Sequence, residues 1–157
     1  MDEKILEKML SVAENFFKTA SDSSQIPINK ESFYKIQRLH PKTLLYKTKN
    51  NKPISWIVIL PTSKKLADEF LQGKISEREL LDKSNPQKEY EALYLCAAFT
   101  IPKYRRKGYV IEMLNEAIGS IPHTDDIKLF AWSYSQEGKS LIKKLEKTLG
   151  GKIELKK

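Results

Sequence analysis

With 157 residues, 40% of them hydrophobic and 31% charged, the chain fits one compact domain and leaves little room for two. A fold of this size buries roughly 70% of the surface its unfolded chain exposes, so it needs no disulfide or structural metal, and the single Cys96 excludes an internal disulfide. The longest apolar run, 54–60, is far below the about 18 residues of a membrane span, and Met1 opens a charged amphipathic segment rather than a signal peptide. A soluble, cytoplasmic protein without membrane association is expected. The net charge of +8 suits a polyanionic ligand, whether nucleic acid, an acidic surface or a phosphorylated cofactor.

Ile5, Met9, Val12, Phe16 and Ala20 recur at helical spacing and predict an amphipathic helix, capped by Asp2 and stopping near Ser21 to Ser24. A shorter helix follows, with Asn29 as cap, Phe33, Ile36 and Leu39 inward, and His40-Pro41 at its end. Segments 43–48 and 54–60 read as a hairpin turned by residues 49–53, with Pro61 closing its second strand. Thr62 or Ser63 caps a helix that carries Leu66, Phe70 and Leu71 and ends at Gly73. Ser76 and Glu79 have the spacing of a capping box for one more helical turn, broken at Asn85-Pro86.

Segment 89–101 is the longest strand pattern and is nearly all apolar in its second half, as a central strand covered on both faces requires. Pro102 ends it. Helix 106–118, strand 127–132, helix 136–149 and a short strand at 152–155 complete the chain. The order implies an α/β fold with a mixed sheet flanked by helices, in which the strands around Leu93 and Ile127 lie parallel. Ligands collect at the carboxyl ends of such strands.

That position is occupied by residues 100–110, TIPKYRRKGYV, which place Arg105, Arg106, Lys107 and Gly108 at the start of a helix. The first amides of a helix lack intrahelical partners and carry the positive end of its dipole, so a phosphate is stabilised there. Gly108 lets a bulky diphosphate approach the backbone. A solvated basic turn ahead of an ordinary helix is the alternative reading.

Here the sequence resembles the GCN5-related N-acetyltransferase family, whose signature runs strand, Arg/Gln-x-x-Gly-x-Gly/Ala turn, helix. Arg105, Gly108 and Val110 occupy its defined positions, Pro102 and Tyr104 match its flanks, and the element order from the hairpin to Leu155 is similar. Val110 departs from the pattern, being β-branched where a small residue is usual. The resemblance implies a single acyltransferase-like domain over 1–157, with a helical part at 1–40 and a cofactor-binding core at 88–157. Its sheet would be mixed, mostly antiparallel, with a splayed central parallel pair.

The resemblance further implies acetyl-CoA as acyl donor, its diphosphate on the amides of Arg105, Arg106, Lys107, Gly108, Tyr109 and Val110, with no metal. Its pantetheine arm would lie along Ala98, Phe99 and Thr100, where a splayed strand offers free backbone groups to the two pantetheine amides. The thioester would sit near Phe99 and Trp132, with amides of 95–99 facing the oxyanion. Ser135 takes the position of an Asn that often opens the next helix in the family, and Ile142 that of its usual acid, a Tyr. Tyr134 is the substitute acid and Glu91 the candidate base. The acetyl group would pass directly to a primary amine of an unidentified acceptor, held by the first two helices and by segment 61–82, in a monomer or homodimer.

Gly138-Lys139-Ser140 imitates the end of a P-loop, but Ser133 stands where the first glycine is required. His40 and His123 lack ligand-spaced partners, and Cys96 sits in an apolar strand without a nearby histidine. Lys139, Lys143 and Lys147 line one helical face, which with Trp132 and Tyr134 sustains a second reading as a nucleic-acid-binding protein or an acyltransferase on charged tRNA. A third keeps the fold as a non-catalytic module that holds CoA.

Overall fold

Local chemistry starts three of the helices where the sequence places their caps. In the computed structural model, which describes residues 3–17, 24–132 and 136–156, α1 spans Glu3–Phe17 and α2 spans Lys30–Leu39. The Asn29 side chain accepts the Ser32 amide at 2.8 Å, while the proposed cap Asp2 lies outside the described residues. Ser63 caps α3 (Lys64–Leu71) through the Leu66 amide. Ser76 and Glu79 form the reciprocal capping box at the head of α4 (Glu77–Lys83), each side chain accepting the other's backbone N–H at 3.1 Å. Helix α6 covers Gln136–Leu149, as predicted.

The described strands form one five-stranded sheet in the order β1 (Leu44–Lys49), β2 (Lys52–Thr62), β3 (Tyr90–Thr100), β4 (His123–Ala131), β5 (Ile153–Leu155). Asn50 and Asn51 turn the β1–β2 hairpin at φ 52° and 61°, the left-handed pair that matches the twist of a two-residue hairpin. Neighbours β1–β2 and β2–β3 are antiparallel, whereas β3–β4 and β4–β5 are parallel. The sheet is therefore mixed but evenly divided, not mostly antiparallel, because the last strand also returns through a helix.

The larger departures from expectation lie at three element boundaries. Strand β2 continues through Pro61, which pairs with Leu93, because β1 accompanies it only as far as Val58 and an edge tolerates a residue without an N–H. Strand β4 starts at His123 rather than 127, with an irregular register between its pairings at His123 and Lys128 that blurs the alternating pattern. Helix α5 spans Tyr109–Ser120, three residues later than predicted, because Arg106 and Gly108 are left-handed at φ 66° and 77°.

The two faces of the sheet are distinguished by their ion pairs. Lys47 lies opposite Ser55 and its ammonium meets Glu112 of α5 at 2.7 Å. Lys128 lies opposite Ala92, itself opposite Thr62, and meets Asp68 of α3 at 2.6 Å. Residues 55 and 62 of one strand point to opposite faces, so α3 and α5 sandwich the sheet. Buried side chains run continuously from Ile5 to Ile153, with Trp56, Phe70, Tyr94 and Phe130 among the largest. No helix of the described residues is long and apolar enough to cross a membrane.

Candidate functional site

The parallel ladder between β3 and β4 stops halfway. It ends at Leu95↔Ala131, while β3 runs on to Thr100 with β2 as its strand partner among the described residues. Opposite β2, Val58 pairs with Ala97 and Ile59 with Leu95, so Cys96 is the extra residue of a bulge at the point where the strands part. A bulge bends its strand and breaks the local ladder, which turns 96–100 away from β4. Burial follows the divergence. Ala92, Leu93 and Tyr94 are 0–1% exposed, whereas 95–98, the most apolar part of the strand, are only half-buried.

Between the parted strands lies a cavity of about 440 Å³. Its walls are Leu95, Cys96, Ala97 and Ala98 of β3, Ala131 and Trp132 at the end of β4, and apolar side chains from helices over both faces, including Ala13 and Ile36 on one side and Leu114 and Ile142 on the other. The segments from α1 to α2 and the helix α4 thus contribute to its wall, where the sequence reading places an acceptor. Trp132 also carries the Lys156 ammonium 4.5 Å from its ring centre.

The strand leads directly to the basic loop. After Thr100 a 3-10 turn, Pro102–Tyr104, brings Arg105 back so that its Nε donates to the Thr100 carbonyl at 3.1 Å. Arg105, Arg106, Lys107 and Gly108 are all exposed. Gly108 caps α5 in the left-handed conformation without a side-chain hydrogen bond, followed at once by helical Tyr109, an alternation that aims successive amides into one hollow and suits an anion. Nothing lies within 4 Å of where a Cβ on Gly108 would stand, so the space above it is open. The glycine is required by its φ alone, independently of any bound group. Arg106 at φ 66° is a rarer outlier for a side-chain-bearing residue, and such strain concentrates at working sites. Tyr109 and Val110 are half-buried and pack against the core, which gives the β-branched Val110 a structural reason.

Other expected site residues fall differently. Ala98 lines the cavity; Phe99 is 7% exposed and packs on Trp56, their ring centres 4.8 Å apart. Thr100 bonds Ser55 through its hydroxyl at 2.8 Å. Tyr134 and Ser135 lie outside the described residues. Ile142, at the position of the family's usual tyrosine, lines the cavity and is 8% exposed.

Glu91 lies away from this cavity. It is exposed, does not line the cavity, and accepts the backbone N–H of Lys64 at 3.3 Å, about 16 Å along the strand from the bulge at ~3.3 Å per residue. The carboxylate that does line the cavity is Glu77, at the first position of α4. Its Oε1 accepts the Ile26 amide at 3.0 Å and its Oε2 accepts the Tyr94 hydroxyl at 2.5 Å. Tyr94 directly precedes the residue where the ladder ends, so its hydroxyl ties Glu77 to the base of the cleft. The capping box locates Glu77 at a helix start, but nothing local in sequence brings that start to the cavity.

Burial, and secondarily the charge of Glu77, push the Cys96 thiol well above its ordinary range. At pH 8 a disulfide reagent is therefore expected to label native Cys96 far more slowly than the denatured chain. Equal rates would show that the thiol is not held protonated. Among the described residues no three or more His, Cys, Asp or Glu side chains gather as a metal site would require.

Neither models of protein families nor characterised protein sequences give a match to this chain.

Proposed function

We propose that the chain is an acetyl-CoA-dependent N-acetyltransferase acting on a primary amine. The observation that carries this reading is the parting of β3 and β4 after Leu95 and Ala131, with the bulged strand running directly into the Gly108 helix start. Separated parallel strands leave main-chain groups of 96–100 to bond the two amides of a pantetheine arm, as an added strand would. The exposed Arg105, Arg106 and Lys107 and the first amides of α5 suit the diphosphate at the far end. The arm's other end would then lie in the cavity beside Trp132.

In the reaction, a bond forms between the amine nitrogen and the acyl carbon, the carbon–sulfur bond breaks, and the departing thiolate takes up the proton the amine gives away. Amides at the Cys96 bulge are the chain's candidates for holding the oxyanion. With Ile142 in the wall and Glu91 remote, proton movement is assigned to groups facing the cavity or to water. The cavity and the basic loop at its end support the transferase more directly than the nucleic-acid reading.

The test is release of free CoA thiol from acetyl-CoA over a panel of amines and peptides. Turnover with at least one amine, and N-acetylation of that amine by mass spectrometry, is the expected result. Binding of acetyl-CoA without turnover across the panel would instead identify a module that holds CoA.

A further inference from the structure

Resting on the transferase reading, we infer that this site takes donors whose acyl groups go well beyond acetyl, with an apolar chain of roughly six to ten carbons lying in the cavity between the parted strands. Size is the first observation. A cavity of ~150 Å³ lined by Leu, Ile and Phe holds a six-carbon ring, and this one has about 440 Å³, roughly three times as much. On that scale the two carbons of an acetyl group would fill about a tenth of the space and leave most of the wall without contacts. An eight-carbon chain takes roughly half, which leaves room for an amine to reach the thioester.

The wall is the second observation. Among the described lining residues, polar side-chain groups belong to Gln25, Glu77, Cys96 and the two tryptophans, and the remaining side chains are apolar. Glu77 is braced within the protein by the Ile26 amide and the Tyr94 hydroxyl, and burial holds Cys96 as the neutral thiol. No lysine or arginine is among the described lining residues, so an acyl group ending in a carboxylate would give up its water without a cation to replace it. Methylenes gain from contact with such a wall. Placement is the third observation. An arm bonded along 96–100 ends at the Cys96 bulge, and the cavity opens at the same point, so carbons beyond the thioester continue into it. Cys96, Ala97, Ala98 and Ala131 present small side chains at the parting, while Leu114 and Ile142 add broad apolar surface from the helices. Chain length leaves the transfer itself unchanged: the amine nitrogen bonds to the acyl carbon, the carbon–sulfur bond breaks, and the thiolate takes up the proton the amine gives away.

The test is calorimetric titration of CoA, acetyl-CoA, octanoyl-CoA and succinyl-CoA into the unaltered protein, with no amine present. Each buried methylene is worth about fourfold in affinity, so octanoyl-CoA, with six more than acetyl-CoA, is expected to bind about 100-fold tighter or better. Succinyl-CoA should bind no tighter than acetyl-CoA. Leu141 lines the cavity from a half-buried position on α6, and Leu141→Trp sets a large ring into the same space. The variant is expected to cost octanoyl-CoA about 10-fold or more, the loss of about two buried methylenes, and to leave acetyl-CoA unchanged. Octanoyl-CoA binding no tighter than acetyl-CoA to the unaltered protein would overturn the inference, whether or not the variant folds. So would an octanoyl advantage that survives undiminished in a folded Leu141→Trp protein, since the chain would then lie elsewhere. In either case, CoA binding and thiol release in the presence of an amine would leave the transferase reading standing and only the long-chain donor would fall. Failure of every CoA species to bind would remove that reading and the inference with it.

Discussion

Gly108→Glu is expected to lower the affinity for acetyl-CoA by about 100-fold or more, measured by calorimetry. A carboxylate about 4 Å from a phosphate costs on the order of 4 kcal/mol at an effective dielectric near 20, and it would stand where the first amides of α5 point. The substitution also strains the backbone, because a side chain at φ 77° is forced into the left-handed region at roughly 1–2 kcal/mol. Gly73→Glu separates the two effects. Gly73 has φ 75° and nothing within 4 Å of its notional Cβ, so it suffers the same strain at the other end of a different helix. Comparable losses of melting temperature, with affinity lost only in the Gly108 variant, are the expected pattern. Equal affinity in both variants would remove the diphosphate from the α5 start.

Phe70→Ala is expected to destabilise the fold by about 3–5 kcal/mol, among the larger single-residue losses for a chain of this size. Phe70 is fully buried and its ring lies 5.1 Å from that of Tyr94 and 6.0 Å from those of Phe130 and Trp132. The Lys156 ammonium also sits 5.5 Å from its centre. Truncation leaves a void where four aromatic rings converge, and tight packing around it limits collapse. A fall in melting temperature of about 10 °C should accompany a change in tryptophan emission. Phe70 does not line the cavity, so the folded fraction should retain its ligand affinity. A shift of only a degree or two would mean the aromatic cluster is not the keystone of that face.

The features legible in the sequence are those whose causes lie within a few residues. Asn29, the Ser76–Glu79 box and the Asn50-Asn51 turn each act on their immediate neighbours, and each takes the expected role. The late start of α5 was hidden because Arg106 gives no sign that its backbone will be left-handed. Pro61 misleads because its tolerance in β2 depends on where a different strand ends. At the site, the basic loop and the apolar strand were readable as a local juxtaposition. The bulge was not, being a property of pairing between 58–59 and 95–97. Glu91 stands out for its place on the central strand, where the family often has a carboxylate, whereas Glu77, which lines the cavity, comes from α4 between β2 and β3. Bonds to residues 51 and 17 positions away in the chain help hold it there.

The rims of the sheet carry their own safeguard. β5 is three residues long and is followed by Lys156, whose side chain folds back over Trp132, while β1 on the opposite border bears Lys47 and Lys49. A foreign strand approaching either border finds a brief template or a lysine-studded one, and both discourage polymerisation through main-chain pairing. The chain thus parts its strands in the interior, beside the cavity, without offering a long open template along its borders.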